Sequence, residues 1–417
     1  MRVHFIGSEG VSMRWLAEYY RARGHEVSGS DLTTGGHSAE NVNNPDLVIY
    51  TSAIKEDNPE LLQARRIGAR VVTRAEALGD VANTFPCVVA VAGTHGKSTV
   101  TAMTASALSA HNVAMHLGGR VNGKIGSVNG EILVAEACEY RRSFLSLSPH
   151  IGVVLNVELD HTDCYKTESE LKSAFAEFAS KSKTLICPYG YDYLKPAPGG
   201  RKIEVGLLGD YSLIGYETSG YGSDLIIKTP YGLLNARVGA VGRHNAENAV
   251  YAVASALEAG ADFAEVRKGL KNFGGVDRRL QKVGELKGVA VLSDYAHHPT
   301  EIKASLSALA DVGIKKPLVV FQPHTHERLT SFFDDFISAF LGVDLIVLPV
   351  FNARGNVEGK TSEDLAQAIS SVGCNATAVS SFVEGAKAVQ KFTSNVDGII
   401  VMGAGDNERI LPLVLKR

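Results

Sequence analysis

Residues 93–99 of this 417-residue chain read Gly-Thr-His-Gly-Lys-Ser-Thr, and this loop constrains the fold more than any other segment. The apolar run Cys87–Ala92 before it is typical of a buried parallel strand, and residues 100–110 after it have the spacing of a helix. Glycines allow several backbone N–H groups to face one anion, and a helix N-terminus adds positive potential. The segment therefore predicts a phosphate-binding loop formed by Gly93, Thr94, His95, Gly96, Lys97, Ser98 and Thr99.

The loop is a shorter variant of the full phosphate-loop pattern, which would place its first glycine at position 91, where the chain has Val91. In such loops the lysine reaches the β- and γ-phosphates of a nucleotide, and the next hydroxyl ligates Mg²⁺. These roles fall on Lys97 and Ser98. The alternative is a glycine-rich turn with a solvated lysine, which the flanking strand and helix disfavour.

Two residues at the ends of apolar runs are candidate metal ligands. Glu136 ends one such run and His161 follows the next, and ligand groups gather at the carboxyl ends of strands in open α/β sheets. A carboxylate and a neutral imidazole can hold a divalent cation beside phosphates, although imidazole is a less usual ligand for Mg²⁺. Taken alone, His161 would more often be a loop histidine bonded to Asp160 or Asp163.

The alternation of strands and helices restarts near residues 85 and 275, and residues 196–241 are richer in glycine and tyrosine and indicate β structure. Strands that alternate with helices favour parallel sheets with crossover helices. The sequence therefore predicts an α/β protein whose domains span residues 1–84, 85–275 and 276–417.

Composition excludes several classes of protein. The formal net charge of −3 and the pI near 6.5 exclude a chain that binds nucleic acid through bulk positive charge. No apolar run approaches the roughly 18 residues that a membrane span requires, and the first apolar stretch is too short for a signal peptide. The five cysteines are scattered, with no CxxC pair, which favours reduced thiols and a cytoplasmic location.

Eight motifs follow one another along the chain: GTHGKST, EACEYRRSF, VELDHTD, GRHNAEN, RRL, SDYAHHPTE, FQPH and GAGD. In this order they resemble the motifs of the Mur ligases over nearly the whole chain, and SDYAHHPTE and FQPH favour the alanine-adding branch. The resemblance implies an α/β, three-domain Mur ligase architecture, with a Rossmann-like N-terminal domain, a P-loop ATPase-like central domain and a Rossmann-like C-terminal domain.

The resemblance also implies an activity. Such an enzyme uses ATP and two Mg²⁺ ions to join L-alanine to UDP-N-acetylmuramate through an acyl phosphate, in peptidoglycan precursor synthesis. We expect a cytoplasmic monomer or weak dimer that contacts neither nucleic acid nor membrane. Two alternatives stay open: a murein-peptide ligase that attaches a recycled peptide to the same sugar nucleotide, and a nucleotide-binding homologue that has lost catalysis.

The family's functional residues map onto this chain motif by motif. The resemblance places one Mg²⁺ on Ser98 and Glu136, and the second partly on His161. It places the adenine end at His244, Asn245 and Asn248, although an Asn245 helix cap is also consistent. The resemblance implies that the catalytic residues are Lys97, Glu136, His161 and Arg279. Of the nucleotide contacts, Arg279 would reach the γ-phosphate and Asp294 the ribose. The substrate residues would be Gly7, Gly10, Ser52, Glu139, His297, His298 and Arg328.

At four sites the sequence leaves the role of a side chain open. Arg328 would pair with the carboxylate of the incoming amino acid, or it forms a surface salt bridge. Glu9 stands where relatives usually have glycine, and a carboxylate repels a pyrophosphate. Arg141 and Arg142 follow Glu139 where an acidic residue often stands, and they either meet an anionic substrate or lie in solvent. Thr325 follows FQPH where some relatives have arginine, which leaves room for a larger amine.

Overall fold

A computed structural model describes residues 1–161, 164–352, 358–392 and 395–415. It contains sheets of four, seven, three and six strands. The predicted α/β class is confirmed, since parallel strands alternate with helices in three of these sheets. Among the described residues, none of the helices combines the length and the apolar character that crossing a bilayer requires.

The first sheet is fully parallel, in the order β2-β1-β3-β4. Its strands are β1 (Arg2–Ile6), β2 (Glu26–Ser30), β3 (Leu47–Tyr50) and β4 (Arg70–Thr73). Its helices are α1 (Val11–Ala22), α2 (Pro59–Arg66) and α3 (Arg74–Ala82), with 3₁₀ turns at Leu32–Thr34 and Ala39–Asn41.

The seven-stranded sheet runs β11-β10-β9-β5-β8-β6-β7 and is parallel except for β6 with β7. Its strands are β5 (Cys87–Ala92), β6 (Val113–Val121), β7 (Lys124–Ser127), β8 (Ile132–Glu136), β9 (Ile151–Val154), β10 (Thr184–Pro188) and β11 (Arg201–Val205). Between them lie α4 (Lys97–Ala107), the 3₁₀ segment Tyr140–Ser146 and α5 (Glu168–Ala179). Because β5 lies between β8 and β9, the loop after β5 lies beside the ends of both strands.

The β-rich segment predicted at 196–241 contains the three-stranded sheet. Its strands are β12 (Ser212–Ser219), β13 (Gly222–Thr229) and β14 (Gly232–Val238), and they are followed by α6 (Arg243–Glu258) and α7 (Phe263–Asn272). Val266 and Leu270 of α7 are buried, in keeping with a helix whose apolar residues share one face.

The last sheet has the order β15-β16-β20-β17-β18-β19, and only its hairpin β15–β16 is antiparallel. Its strands are β15 (Gln281–Leu286), β16 (Val289–Asp294), β17 (Pro317–Phe321), β18 (Asp344–Val347), β19 (Ala376–Ala378) and β20 (Gly398–Met402). Its helices are α8 (Pro299–Asp311), α9 (His326–Ser331), α10 (Phe333–Ala339), α11 (Ser362–Ser371), α12 (Phe382–Phe392) and α13 (Leu411–Leu415), with a 3₁₀ turn at Asn407–Ile410.

The chain divides into two compact units. The first contains Met1–Glu217, Asp224–Gly239 and Ala246–Gly274, and the second contains Thr218–Ser223, Ala240–Asn245 and the described residues from Gly275 onward. The predicted boundary at 275 coincides with the start of that last segment. The predicted boundary at 84 falls inside the first unit, where apolar residues from both sides of it, among them Trp15 and Leu133, form one hydrophobic cluster. The division into domains at residues 84 and 275 stays a prediction.

Candidate active site

The predicted phosphate loop joins β5 to α4, and α4 begins at Lys97, inside the motif rather than at residue 100. Gly96 precedes it with φ +85°, and no side chain among the described residues caps this helix N-terminus. Gly93 has φ +148°, and a Cβ there would lie 2.9 Å from the Leu155 Cβ. Both positions therefore require glycine, and the loop leaves the first N–H groups of α4 for an anion.

The Lys97 side chain folds back against the backbone of the loop. Its Nζ donates to the carbonyl oxygens of Gly93 at 2.6 Å and Thr94 at 2.9 Å, and it lies 2.9 Å from Glu139 Oε2. Burial alone would lower the pKa of Lys97, but the Glu139 carboxylate, supported by other acidic groups, raises this pKa above its ordinary value. Lys97 is therefore a permanent cation beneath the loop.

Glu139 is the buried counter-charge of this lysine, only 1% exposed. Its Oε1 accepts from Lys97 Nζ at 3.1 Å and lies 3.5 Å from His161 Nε2. Burial raises the pKa of Glu139, while Lys97 and His161 lower it, and the net shift is downward. The substrate role that the resemblance gave Glu139 stays a prediction; the structure shows it as the residue that holds Lys97.

The candidate metal ligands Ser98 and Glu136 are in contact. Ser98 Oγ donates to Glu136 Oε2 at 2.7 Å, and the Gly118 backbone N–H donates to the same oxygen at 2.9 Å. Glu136 is positioned there because it pairs in register with Val91, near the end of β5. A hydroxyl and a carboxylate in contact supply the hard oxygen ligands that Mg²⁺ prefers, so this part of the donor set fits the ion.

His161 offers a nitrogen ligand. Its Nδ1 is buried and has no hydrogen-bond partner within the described part of the chain, and its backbone has φ +52°. The Asp160 carboxylate accepts the His161 backbone N–H at 2.6 Å, whereas its Oδ2 lies 4.0 Å from the ring Nε2. The ring therefore lies nearer to Glu139 than to Asp160; Asp163, the other partner considered, lies outside the described residues.

Two residues after β9 hold the phosphate loop in place, and the sequence analysis missed both. Asn156 Oδ1 accepts the His95 backbone N–H at 2.8 Å, and its Nδ2 donates to the His95 carbonyl at 3.1 Å. The Thr94 hydroxyl donates to the Glu158 carbonyl at 3.0 Å and accepts the Glu158 N–H at 2.9 Å. The sequence did contain a signal for these two residues, because a polar residue at the end of a strand next to β5 must lie beside the phosphate loop that follows β5.

The residues predicted at the adenine end lie on α6 and just inside its start. A Cβ on Gly96 would lie 2.8 Å from Asn248 Oδ1, so Asn248 lies directly beside the loop. The helix-cap interpretation of Asn245 is wrong: α6 begins at Arg243, and the Asn245 amide donates to the Val241 carbonyl at 2.8 Å. The pKa of His244, in the second unit, falls to about 4, first because of burial and then because of Arg279.

The carboxyl edge of the first sheet has the predicted glycines. Gly7 has φ +82°, where a Cβ would collide with the Thr51 side chain, and Gly10 precedes α1 with no side-chain cap from the described residues. Ser52 lies two residues after β3, at the same edge. Glu9 forms an ion pair with Arg14, so the carboxylate that would repel a pyrophosphate has its own counter-charge.

A buried carboxylate near this edge, Glu60, was also missed. Its side chain is fully buried, and it accepts hydrogen bonds from five donors: His4 Nε2, Ser30 Oγ, His37 Nδ1, the Ser38 backbone N–H and Asn41 Nδ2. Burial raises the pKa of Glu60, but these hydrogen bonds outweigh burial and bring the pKa to about 2. Glu60 therefore holds the segment after β2 against β1 and α2. A glutamate in the first turn of a helix is usually exposed, so no feature of the sequence indicated that Glu60 is buried.

In the second unit, Arg279 lies in a turn that Asp294 organises. Arg279 Nη1 donates to Glu301 Oε1 at 3.4 Å. Asp294 is buried and accepts the backbone N–H groups of Leu280 at 2.9 Å and Ala296 at 2.7 Å. Burial raises the pKa of Asp294 more than Arg279 and these bonds lower it. The ribose contact of Asp294 stays a prediction.

The structure distinguishes the two histidines of the second unit. His298 is buried against Phe332, and its side chain accepts the Thr300 N–H at the start of α8. His297 is less buried, and its Nδ1 lies 3.0 Å from the Tyr295 carbonyl. Of the pair, His298 points inward, as a helix cap.

Arg328 is 8% exposed, so the surface salt-bridge interpretation is wrong. Its Nη1 lies 3.3 Å from His324 Nδ1. Thr325, which stands where some relatives have arginine, caps α9 and accepts the Arg328 backbone N–H at 3.2 Å. The threonine therefore has a structural role in fixing the helix that carries Arg328.

Comparison with known families matches three consecutive parts of the chain. Residues 2–86 match the Mur ligase family catalytic domain, residues 91–256 the Mur ligase middle domain, and residues 278–405 the Mur ligase glutamate ligase domain. Among solved structures, the chain resembles a UDP-N-acetylmuramate–alanine ligase from Thermotoga maritima, with a TM-score of 0.84 and 24% identity over 100% of this chain and 98% of that one. It also resembles a murein peptide ligase from Psychrobacter arcticus, with a TM-score of 0.70 and 21% identity over the same shares of the two chains.

Two relatives are similar along their whole length. The chain is 36% identical to a UDP-N-acetylmuramate–L-alanine ligase of Clostridium acetobutylicum, over 100% of this chain and 98% of the relative. It is 35% identical to a protein of the same name from Acetivibrio thermocellus, over 99% of this chain and 95% of the relative. With the three matched domains and this full-length similarity, the chain belongs to the Mur ligase family.

Proposed function

We propose that this chain is an ATP-dependent ligase that joins L-alanine to UDP-N-acetylmuramate through an acyl phosphate, in peptidoglycan precursor synthesis. The observation that carries the proposal is the buried Lys97–Glu139 pair beside the Ser98–Glu136 contact at a phosphate loop. The full-length similarity to relatives that bear this name supports the choice of L-alanine and of the sugar nucleotide.

The chemistry that this loop supports is phosphoryl transfer. A substrate carboxylate attacks the γ-phosphorus of ATP, ADP leaves, and the carboxylate becomes an acyl phosphate. Such a reaction needs alignment and neutralisation of charge more than covalent help from the protein. Lys97 supplies a permanent positive charge, and the N-terminus of α4 supplies oriented N–H groups. Binding of the phosphates would draw the Lys97 ammonium away from the carbonyl oxygens that it contacts here.

Ser98 and Glu136 would hold one Mg²⁺, and His161 would help to hold the second through its Nδ1, which has no hydrogen-bond partner among the described residues. Bound Mg²⁺ neutralises charge on the phosphate oxygens. Glu139 keeps Lys97 in place when no phosphate is bound. We assign the ends of the nucleotide to His244, Asn245, Asn248, Arg279 and Asp294, as the family motifs imply.

In the second step, the amine of L-alanine attacks the acyl carbon, and phosphate leaves. We assign the carboxylate of the incoming amino acid to Arg328, because a buried guanidinium offers charge-assisted, bidentate hydrogen bonds. Gly7, Gly10, Ser52, Glu139, His297 and His298 stay candidates for the remaining substrate contacts. The cytoplasmic location and the monomer or weak dimer also stay proposals, the latter testable by sedimentation velocity.

The test measures phosphate release with ATP, Mg²⁺ and UDP-N-acetylmuramate, and compares L-alanine, other amino acids and a murein tripeptide as the amine. We expect release only when L-alanine and the sugar nucleotide are both present, with a product heavier by one alanyl residue in the mass spectrum. Preference for the tripeptide would instead establish a murein-peptide ligase. Absence of release with every amine would establish a nucleotide-binding homologue without catalysis.

A further inference from the structure

Two consecutive arginines after Glu139 have an unusual backbone conformation. Arg141 has φ +50° and ψ +34°, and Arg142 has φ +56° and ψ +22°, within the 3₁₀ segment Tyr140–Ser146. Residues other than glycine adopt this left-handed conformation at a cost in free energy, and such outliers cluster at functional sites. Both side chains are exposed, so burial of these side chains does not explain the conformation.

The two side chains differ in their partners. Arg142 Nη2 pairs with Glu177 Oε2 at 2.5 Å, an exposed ion pair. Arg141 Nη1 donates to the backbone carbonyl of Ser52 at 2.6 Å, and no carboxylate of the described residues forms an ion pair with Arg141. Because a guanidinium has five N–H donors, most of the hydrogen-bonding capacity of Arg141 remains available to a ligand.

The position of Arg141 indicates which ligand that is. On one side Arg141 contacts Ser52, at the carboxyl edge of the first sheet. On the other side its guanidinium carbon lies 5.7 Å from the centre of the Tyr140 ring, and that ring lies 5.0 Å from the His161 ring. Arg141 therefore lies between the edge where open α/β sheets bind ligands and the residues of phosphoryl transfer.

We infer that Arg141 determines specificity for the sugar nucleotide by binding one of its oxyanions, either the diphosphate or the carboxylate that becomes phosphorylated. The inference rests on the proposed function, which requires an anionic substrate to extend from that edge to the phosphate loop. A planar guanidinium binds either anion through two parallel hydrogen bonds. The strained backbone at Arg141 and Arg142 aims the Arg141 guanidinium at Ser52, whereas the Arg142 side chain pairs instead with Glu177.

The test measures binding of UDP-N-acetylmuramate by calorimetry without ATP. Arg141→Gly removes the guanidinium and keeps the turn, because glycine adopts positive φ without strain. We expect the Kd to rise about 10-fold to 150-fold, as for loss of a charge-assisted hydrogen bond. Arg141→Lys should recover part of the affinity, and the matched control Arg142→Gly should change the Kd by less than about 3-fold.

UDP-N-acetylglucosamine, which has the diphosphate but lacks the carboxylate, identifies the anion. A parallel loss of its affinity in Arg141→Gly supports contact with the diphosphate, and an unchanged affinity supports contact with the carboxylate. Unchanged binding of UDP-N-acetylmuramate, or an equal loss in Arg142→Gly, would overturn the inference. Ligation by the wild-type enzyme is measured in parallel: its absence refutes the proposed function, whereas intact ligation with unaffected binding in Arg141→Gly refutes only the role of Arg141.

Discussion

Glu60 and Glu139 are both buried carboxylates, and they lie near the carboxyl edges of the two large sheets of the first unit, but their partners differ. Glu60 accepts hydrogen bonds from five donors and holds a loop. Glu139 pairs with the Lys97 ammonium, beside His161, whose Nδ1 has no hydrogen-bond partner in the part of the chain that the structure describes. A carboxylate that is saturated by fixed donors stabilises one conformation, whereas a carboxylate paired with a long, flexible cation releases that cation when a stronger anion binds.

We expect the largest loss of activity when Lys97, the cation at the phosphate loop, is replaced. Lys97→Ala should lower kcat by roughly 10²–10³-fold or more, because the variant lacks the positive charge that neutralises the transferring phosphoryl group. Steady-state phosphate release measures the change, and circular dichroism establishes that the variant is folded. Lys172→Ala, which removes an exposed lysine paired with Glu168, is the control and should keep full activity. A Lys97→Ala variant with more than about a tenth of wild-type kcat would contradict the role of Lys97.

Replacing the counter-charge should produce a defect that nucleotide corrects. Glu139→Gln leaves the Lys97 ammonium without its carboxylate, and loss of one partner of a buried ion pair costs about 3–5 kcal/mol. The free energy of unfolding should fall by an amount in or below this range, since Lys97 can turn toward solvent. Saturating ATP and Mg²⁺ should reduce the difference in the free energy of unfolding between the variant and wild type. The reason is that the phosphates of ATP then replace the carboxylate as the partner of Lys97. A difference that ATP leaves unchanged would show that Glu139 is as purely structural as Glu60.

The matched substitution at the other carboxylate should also lower stability, but ATP should not correct the loss. Glu60→Gln should lower the free energy of unfolding at pH 7 by about 3 kcal/mol, which is the linkage energy for a pKa near 2 in the folded chain and near 4.5 when unfolded. Urea unfolding measures this loss, and ATP should not narrow it. Equal narrowing by ATP in both variants would remove the distinction between the two carboxylates.

The pH dependence of Glu60→Gln provides an internal check. Because the pKa of Glu60 is lowered in the folded protein, ionised Glu60 stabilises the fold above about pH 4.5, and this contribution disappears as pH falls toward 2. The variant has no carboxyl group to titrate at position 60. The stability difference between wild type and variant should therefore be constant from pH 7 to about 5.5 and decrease below about 4.5. A difference that grows on acidification would mean that the sign of the pKa shift is wrong.

The same contrast explains how much of the site the sequence could predict. The phosphate loop, Glu136 and His161 stand next to buried strands, where strand order alone brings them to one edge. Glu139 was identified through the resemblance as a substrate residue, but its ion pair with Lys97 was not predicted. Glu60 was missed because its five donors come from segments that only tertiary folding brings together.

The fold shows a similar division. The continuous apolar run Cys87–Ala92 predicted β5 to the residue, because a buried strand has no polar face that blurs its ends. The short strand β4, exposed at one residue and half-buried at the others, was not predicted, and neither was β15, which forms a hairpin with β16. Such strands depend on their partners for stability, and a single apolar pattern does not record the partner.

The most direct test of the acyl phosphate follows the carboxylate oxygen atoms of the substrate. UDP-N-acetylmuramate labelled with ¹⁸O in its carboxylate is incubated with ATP, Mg²⁺, L-alanine and the enzyme, and the released phosphate is analysed by mass spectrometry. If the residues of the phosphate loop promote transfer of the γ-phosphoryl group to this carboxylate, one carboxylate oxygen bridges carbon and phosphorus in the acyl phosphate. This oxygen stays with phosphorus when the amine attacks the acyl carbon. We expect one ¹⁸O in each phosphate; unlabelled phosphate accompanied by alanyl product would contradict an acyl phosphate intermediate.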